Sequence, residues 1–123
     1  MPTAVVVDDS RAIRMILGRT LRELGFEVRE AGNGIDALAV LSAGPPVDLV
    51  MADWNMPVMD GLEFLKSLRR TEGGRGPAVI FCTTETDVEH IQKALANGAN
   101  EYLMKPFDQE SLIAKLDLVY FRK

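Results

Sequence analysis

The spacing of apolar residues switches repeatedly along this chain, and that switching is the strongest constraint on its fold. Ala4-Val5-Val6-Val7 is an unbroken, mostly β-branched run, the mark of a strand buried on both faces. Ser10 follows as a helix N-cap, and Ile13, Ile16, Leu17, Leu21 and Leu24 then recur at helical spacing until Gly25 stops them. The pattern repeats. Phe26 to Ala31 reads as a strand. A helix opened by Asn33 or Gly34 carries Ala37, Leu38 and Leu41 and ends at Gly44-Pro45-Pro46. Val47 to Ala52 is a third strand, and a loop through Pro57 and Gly61 leads to a helix with Leu62, Phe64, Leu65 and Leu68. Residues 71–77 form a glycine-rich loop, and Ala78 to Cys82 a fourth strand. Asp87 caps a helix carrying Val88, Ile91, Ala94 and Leu95. Glu101 to Met104 is a fifth strand, and Asp108 caps a last helix with Leu112, Ile113, Leu116 and Val119.

Alternation of this kind predicts a mostly parallel sheet covered by helices on both faces, joined by right-handed crossovers. The chain is too short for an eight-stranded barrel. A doubly wound α/β fold remains, flavodoxin-like, with five parallel strands in the order 2-1-3-4-5 and five flanking helices. At 123 residues it reads as one domain, residues 1–123, able to build its core without a staple. A single cysteine excludes an internal disulfide and a cysteine-based zinc site. Eighteen acidic residues against fourteen basic ones disfavour nucleic-acid binding. The sequence contains no apolar run of membrane-spanning length and nothing resembling a signal peptide at Met1-Pro2-Thr3, so a cytoplasmic location is expected.

Ligand sites of open α/β sheets lie at the carboxyl ends of the strands. There the sequence puts Asp8 and Asp9 after strand 1, Asp53 after strand 3, Thr83 after strand 4 and Lys105 after strand 5. Polar residues end strands commonly, which explains any one of these but explains the set poorly. Two like charges about 4 Å apart cost roughly 4 kcal/mol at an effective dielectric of about 20. Three converging carboxylates must therefore hold protons, separate or bind a cation. Lys105 compensates one charge, and all-oxygen ligation suits Mg²⁺ for the rest. A carboxylate-held Mg²⁺ beside a lysine and a threonine hydroxyl is suited to a phosphoryl group. No P-loop is present. The acceptor could be water, a substrate or one of the carboxylates.

The segments Val7-Asp8-Asp9-Ser10, Asp53-Trp54-Asn55-Met56-Pro57-Val58-Met59-Asp60-Gly61, Thr83 and Lys105-Pro106-Phe107 together resemble the receiver domain of two-component response regulators, in particular the single-domain chemotaxis type. The resemblance spans the whole chain, and the strand order 2-1-3-4-5 belongs to it as much as to the alternation. It implies that Asp53 takes a phosphoryl group from a phosphohistidine on a partner kinase. It also implies that Asp8, Asp9, Asp53 and the backbone carbonyl of Asn55 hold Mg²⁺, and that Lys105 pairs with phosphoryl oxygens. Thr83 and Tyr102 move on phosphorylation, and Lys105-Pro106 is cis. Asn55, Glu85 and Thr84 tune the lifetime of the phosphate, with Thr84 departing from the small residue usual there. Such a protein catalyses its own phosphorylation and dephosphorylation and is mainly a signalling switch.

The partners implied are a sensor histidine kinase or phosphotransfer protein, an output protein such as a flagellar motor switch component, and a phosphatase. A monomer is expected. The output face is built from helix 4, strand 5 and helix 5, where Tyr102, Leu118 and Phe121 offer an apolar flank. The chain ends with helix 5, so no output domain is expected. A phosphate carrier within a relay is a second reading. A Mg²⁺-dependent phosphatase is a third, weakened because Asn55 cannot serve as the general acid expected two residues after the nucleophile. Among other conspicuous residues, His90 reads as solvated, Cys82 as a small core residue, and Met56 and Met59 as packing residues. Trp54 is expected over the site. Arg69, Arg70 and Arg75 read as solvated, and Arg11 and Arg14 either attract anionic donors or are solvated.

Overall fold

A computed structural model describes residues 2–44, 46–70, 76–84 and 88–121, without the side chains of residues 88, 89, 120 and 121. The elements follow the predicted alternation: β1 (Thr3–Val7), α1 (Arg11–Glu23), β2 (Glu27–Ala31), α2 (Gly34–Ala43), β3 (Leu49–Asp53), α3 (Gly61–Arg70), β4 (Ala78–Thr83), α4 (Val88–Ala96), β5 (Glu101–Met104) and α5 (Gln109–Leu116). A π-helical turn, Asp117–Phe121, continues α5. The strands form one parallel sheet in the order β2-β1-β3-β4-β5.

β1, β3 and β4 are almost wholly apolar because the middle of the sheet is buried on both sides, whereas the edge strand β2 carries Glu27, Arg29 and Glu30. Val5, Val7, Val50, Ala52, Val79 and Phe81 point to one face, where Ala37 of α2, Phe64, Leu65 and Leu68 of α3 and Ala94 of α4 cover them. Ala4, Val6, Leu49, Met51, Ile80 and Cys82 point to the other, under Leu17 and Leu21 of α1 and Leu112 and Leu116 of α5. Adjacent residues of one strand thus serve different cores, which is the period of two of a pleated strand.

The helix starts obey capping chemistry. Ser10 Oγ accepts from Ile13 N (3.3 Å), Asn33 Oδ1 from Asp36 N (2.8 Å), Asp60 Oδ1 from Glu63 N (2.8 Å) and Asp108 Oδ1 from Ser111 N (2.8 Å). The expected cap Asp87 lies outside the described residues. Gly25 (φ +98°) and Gly98 (φ +109°) end helices in the left-handed region that favours glycine.

Several expectations shift. Phe26 precedes β2 instead of opening it, and its N–H closes the end of α1 on Leu21 O. β3 starts at Leu49 because Asp48 pairs sideways with Thr3, through both its backbone and its carboxylate. β4 extends through Thr83. Ile16, Leu95 and Ile113, read as core, are exposed, because each lies beside a buried stripe position (Leu17, Ala94 and Leu112) and about 100° around its helix.

Candidate functional site

The parallel sheet delivers five strand ends to one edge, and the acidic residues are there. Asp8 is 1% exposed and Asp53 8%, while Asp9 is exposed. One carboxylate oxygen from each of Asp8, Asp9 and Asp53 lies within 4.8 Å of the others. Lys105, just past β5, reaches back so that its Nζ is 3.2 Å from Asp8 Oδ2 and 3.2 Å from Asp53 Oδ1. The Lys105-Pro106 peptide is cis, and Lys105 N donates to Thr83 O (2.7 Å).

The backbone fixes each ligand group. Ser10 N–H donates to Asp8 Oδ1 (2.8 Å), and Asn55 N–H lies 3.4 Å from Asp53 Oδ1. Asp53 pairs in register with Cys82, and Trp54 N donates to Cys82 O (3.0 Å). Thr83 is buried, and its hydroxyl donates to Thr84 O at 3.4 Å, a weak bond.

Burial raises the Asp53 carboxyl above its ordinary value. Lys105 pulls it down and Asp8 pushes it further up. Burial of the Lys105 ammonium works against its charge, but Asp53 and Asp8 outweigh that and leave its pKa raised. The lysine therefore holds its proton and sets one cation among the three acidic side chains. Hard oxygen donors this close, two of them buried, fit Mg²⁺.

Cys82 is a buried core residue as expected. Burial pushes its thiol up to about 12. Met56 is buried, and Met59 is partly buried over Gly34. The loop from Asp53 to Gly61 turns at Val58, whose φ is +72° and which is 76% exposed. Gly61 is required by close approach, since a Cβ there would stand 2.9 Å from the Trp54 ring.

Four residues behave differently from the reading of the sequence. Trp54 belongs to the core on the α2, α3 and α4 side of the sheet. It is buried beneath α4, edge-on to Phe81 (centroids 5.1 Å apart). His90, though exposed, is not merely solvated, because its ring stacks on Trp54. Arg69 spans from α3 to Gly98 O (2.7 Å), Pro77 O (3.0 Å) and Asn100 Oδ1 (3.2 Å). Arg14 bonds Asp8 O and Glu30. Their partners are rings, carbonyl oxygens, an amide and a carboxylate that the fold brings to them, for which a sequence carries no local signal.

Tyr102 is half-buried at the edge of a small apolar cavity that Trp54, Phe81, Thr83 and Ala94 also line. Lys115 Nζ lies 4.3 Å above the Tyr102 ring and 3.2 Å from Glu101 Oε1. Leu118 is 48% exposed, while Leu116 is buried and Val119 packs against the core. Glu85, and the side chain of Phe121, lie outside the described residues. Among the described residues no helix is long and apolar enough to cross a membrane.

A parallel sheet of this order, with an acidic cluster and a lysine at its carboxyl edge, defines a two-component signalling receiver. The chain belongs to the response regulator receiver domain family, whose pattern matches residues 4–117. It is similar to Chemotaxis protein CheY-3 of Vibrio cholerae, 40% identical over 119 residues that cover 96% of this chain and 91% of that one. It is also similar to Chemotaxis protein CheY1 of Helicobacter pylori, 39% identical, with 94% of each chain covered. Among solved structures, the chemotaxis response regulator CheY4 of Vibrio cholerae superposes with a TM-score of 0.88 at 38% identity, covering 95% of this chain and 97% of that one.

Proposed function

We propose that this receiver is a phosphorylation-activated switch of a chemotaxis-type two-component system, with Asp53 as the phosphoacceptor. The observation that carries this reading is the placement of Lys105 Nζ 3.2 Å from both Asp8 and Asp53, inside a cluster of three carboxylates. Asp53 is the member at the end of a central strand, with buried flanks and a cationic neighbour, which suits an attacking carboxylate.

In the step proposed, an Asp53 oxygen attacks phosphorus and the P–N bond of a phosphohistidine breaks. The imidazole nitrogen leaves with the bonding pair and takes a proton from solvent. Asp8, Asp9, Asp53 and the Asn55 carbonyl would hold Mg²⁺, which supplies positive charge to the phosphoryl oxygens. Lys105 stays protonated and gives the remaining compensation.

The product carries roughly two negative charges where Asp53 had one, with three acceptor oxygens. Lys105 is drawn to them, and Thr83 exchanges its weak bond to Thr84 O for a phosphoryl oxygen. Tyr102 then turns toward the cavity beside Thr83, which alters the α4–β5–α5 face that Tyr102, Leu118 and Phe121 would offer to a partner. Asn55, Thr84 and Glu85 set the lifetime of the phosphate. The donor is a sensor histidine kinase or phosphotransfer protein, and an output protein, of the flagellar motor switch kind, reads the changed face. We read residues 1–123 as one monomeric, cytoplasmic receiver domain.

The test is mass spectrometry of the protein incubated with acetyl phosphate and Mg²⁺. One phosphoryl group on Asp53, absent in Asp53→Asn and absent in excess chelator, is expected. Equal phosphorylation of the variant would overturn the assignment.

A further inference from the structure

Asp9 is the exposed member of the acidic cluster, and among the described residues nothing bonds its carboxylate. Yet the backbone on both sides of it is tied. The Ser10 N–H after it donates to Asp8 Oδ1 (2.8 Å). The carbonyl before it, Asp8 O, accepts from Arg14 Nη1.

That second bond repairs a gap in the sheet. The β1–β2 ladder ends at Val7 and Ala31, and Asp8 N–H makes its last bond, to Ala31 O (3.1 Å). One residue further the chain leaves β2 at Gly32 and turns into α2, capped by Asn33. The Asp8 carbonyl, on a residue 1% exposed, has no donor from β2 to meet. Arg14, one turn into α1, takes the place of the missing strand. Glu30 Oε1 holds its Nε at 3.1 Å, which aims the fork and offsets its charge.

The geometry points to Arg14 as a positioning residue for the cation site: by fixing the Asp8–Asp9 peptide it directs the Asp9 carboxylate into the cluster. This inference rests on the cation-binding reading of Asp8, Asp9 and Asp53.

Charge and positioning make opposite demands on the same substitution. Removing a positive charge near a cation site strengthens cation binding, whereas removing a group that orients a ligand weakens it, by about 10–100-fold in metal sites generally. Calorimetric titration of the full chain with Mg²⁺ separates them. Arg14→Ala is expected to bind Mg²⁺ about tenfold more weakly. Arg11→Ala removes the same charge from the exposed first turn of α1 and is expected to bind unchanged or more tightly. Arg14→Lys, which can still donate to Asp8 O, is expected to recover part of the loss. Should Arg14→Ala fail to fold, as judged by circular dichroism, Arg14→Met keeps the packed stem and carries the same comparison. Binding by the Ala or Met variant as tight as wild type, or tighter, overturns the inference. Absence of Mg²⁺ binding by the wild-type chain would instead overturn the cation reading beneath it.

Discussion

The imidazole of His90 lies on the indole of Trp54, with ring centroids 5.6 Å apart and planes 26° from parallel. The indole belongs to the residue after Asp53, and the imidazole belongs to α4. This pair of rings thus links the acidic edge to the helix beside it.

Replacing His90 with alanine should cost about 1 kcal/mol, the usual worth of an aromatic pair beyond its buried area. Trp54 is the only tryptophan, so its emission reports the change directly. A red shift on His90→Ala is expected as water reaches the ring, together with a lower melting temperature. Unchanged emission would show that the stack does not shield Trp54.

Asp53 titrates above 3.8 in the folded chain, chiefly because it is buried. The fold therefore binds that proton more tightly than the unfolded chain does. Stability falls as pH rises from 3.8 through the folded value, and the loss is complete beyond it. Asp53→Asn in chelator should accordingly be more stable than wild type at neutral pH, with the advantage shrinking as pH falls toward 3.8. Denaturant melts of both proteins across this range measure the difference. An advantage that grows toward low pH would contradict the raised carboxyl.

Lys105→Met leaves Asp8 and Asp53 without their cation. Breaking a buried pair costs about 3–5 kcal/mol, and the partial exposure of Lys105 reduces this to roughly 2 kcal/mol. Because its ammonium is held above 10.5, the wild-type contribution should persist through neutral pH and fade only as pH rises beyond 10.5. Saturating Mg²⁺ should narrow the gap between variant and wild type in chemical denaturation, since a bound cation offsets the same carboxylates.

Val58 holds a β-branched side chain at φ +72°, where such residues are strained, and little packing repays it because the side chain is 76% exposed. Asparagine tolerates this region better. Val58→Asn should raise stability by about 1 kcal/mol, visible as a melting temperature higher by a few degrees. A fall would mean that the valine makes contacts worth more than its strain.

The alternation of strands and helices could be read from the residues because β-branched runs and glycine stops are local signals. The acidic edge could be read too, since a strand's last residue is defined once the strand is. Ile16, Leu95 and Ile113 were misread because composition marks them as apolar while one step of helix rotation decides their exposure. Arg14, Arg69 and His90 escaped for a different reason. Each meets a partner brought near only by the folded topology, and two of the three bond to carbonyl oxygens, which every residue possesses.

The burial of Cys82 has a practical consequence for labelling chemistry. With its thiol pushed up to about 12 by burial, the reactive thiolate is scarcely populated there at pH 7. The one native cysteine should thus be silent toward maleimides while the protein is folded. A cysteine introduced at exposed Leu118 would be the sole reactive thiol, and a dye or spin label could be attached at the end of α5 without altering the native core.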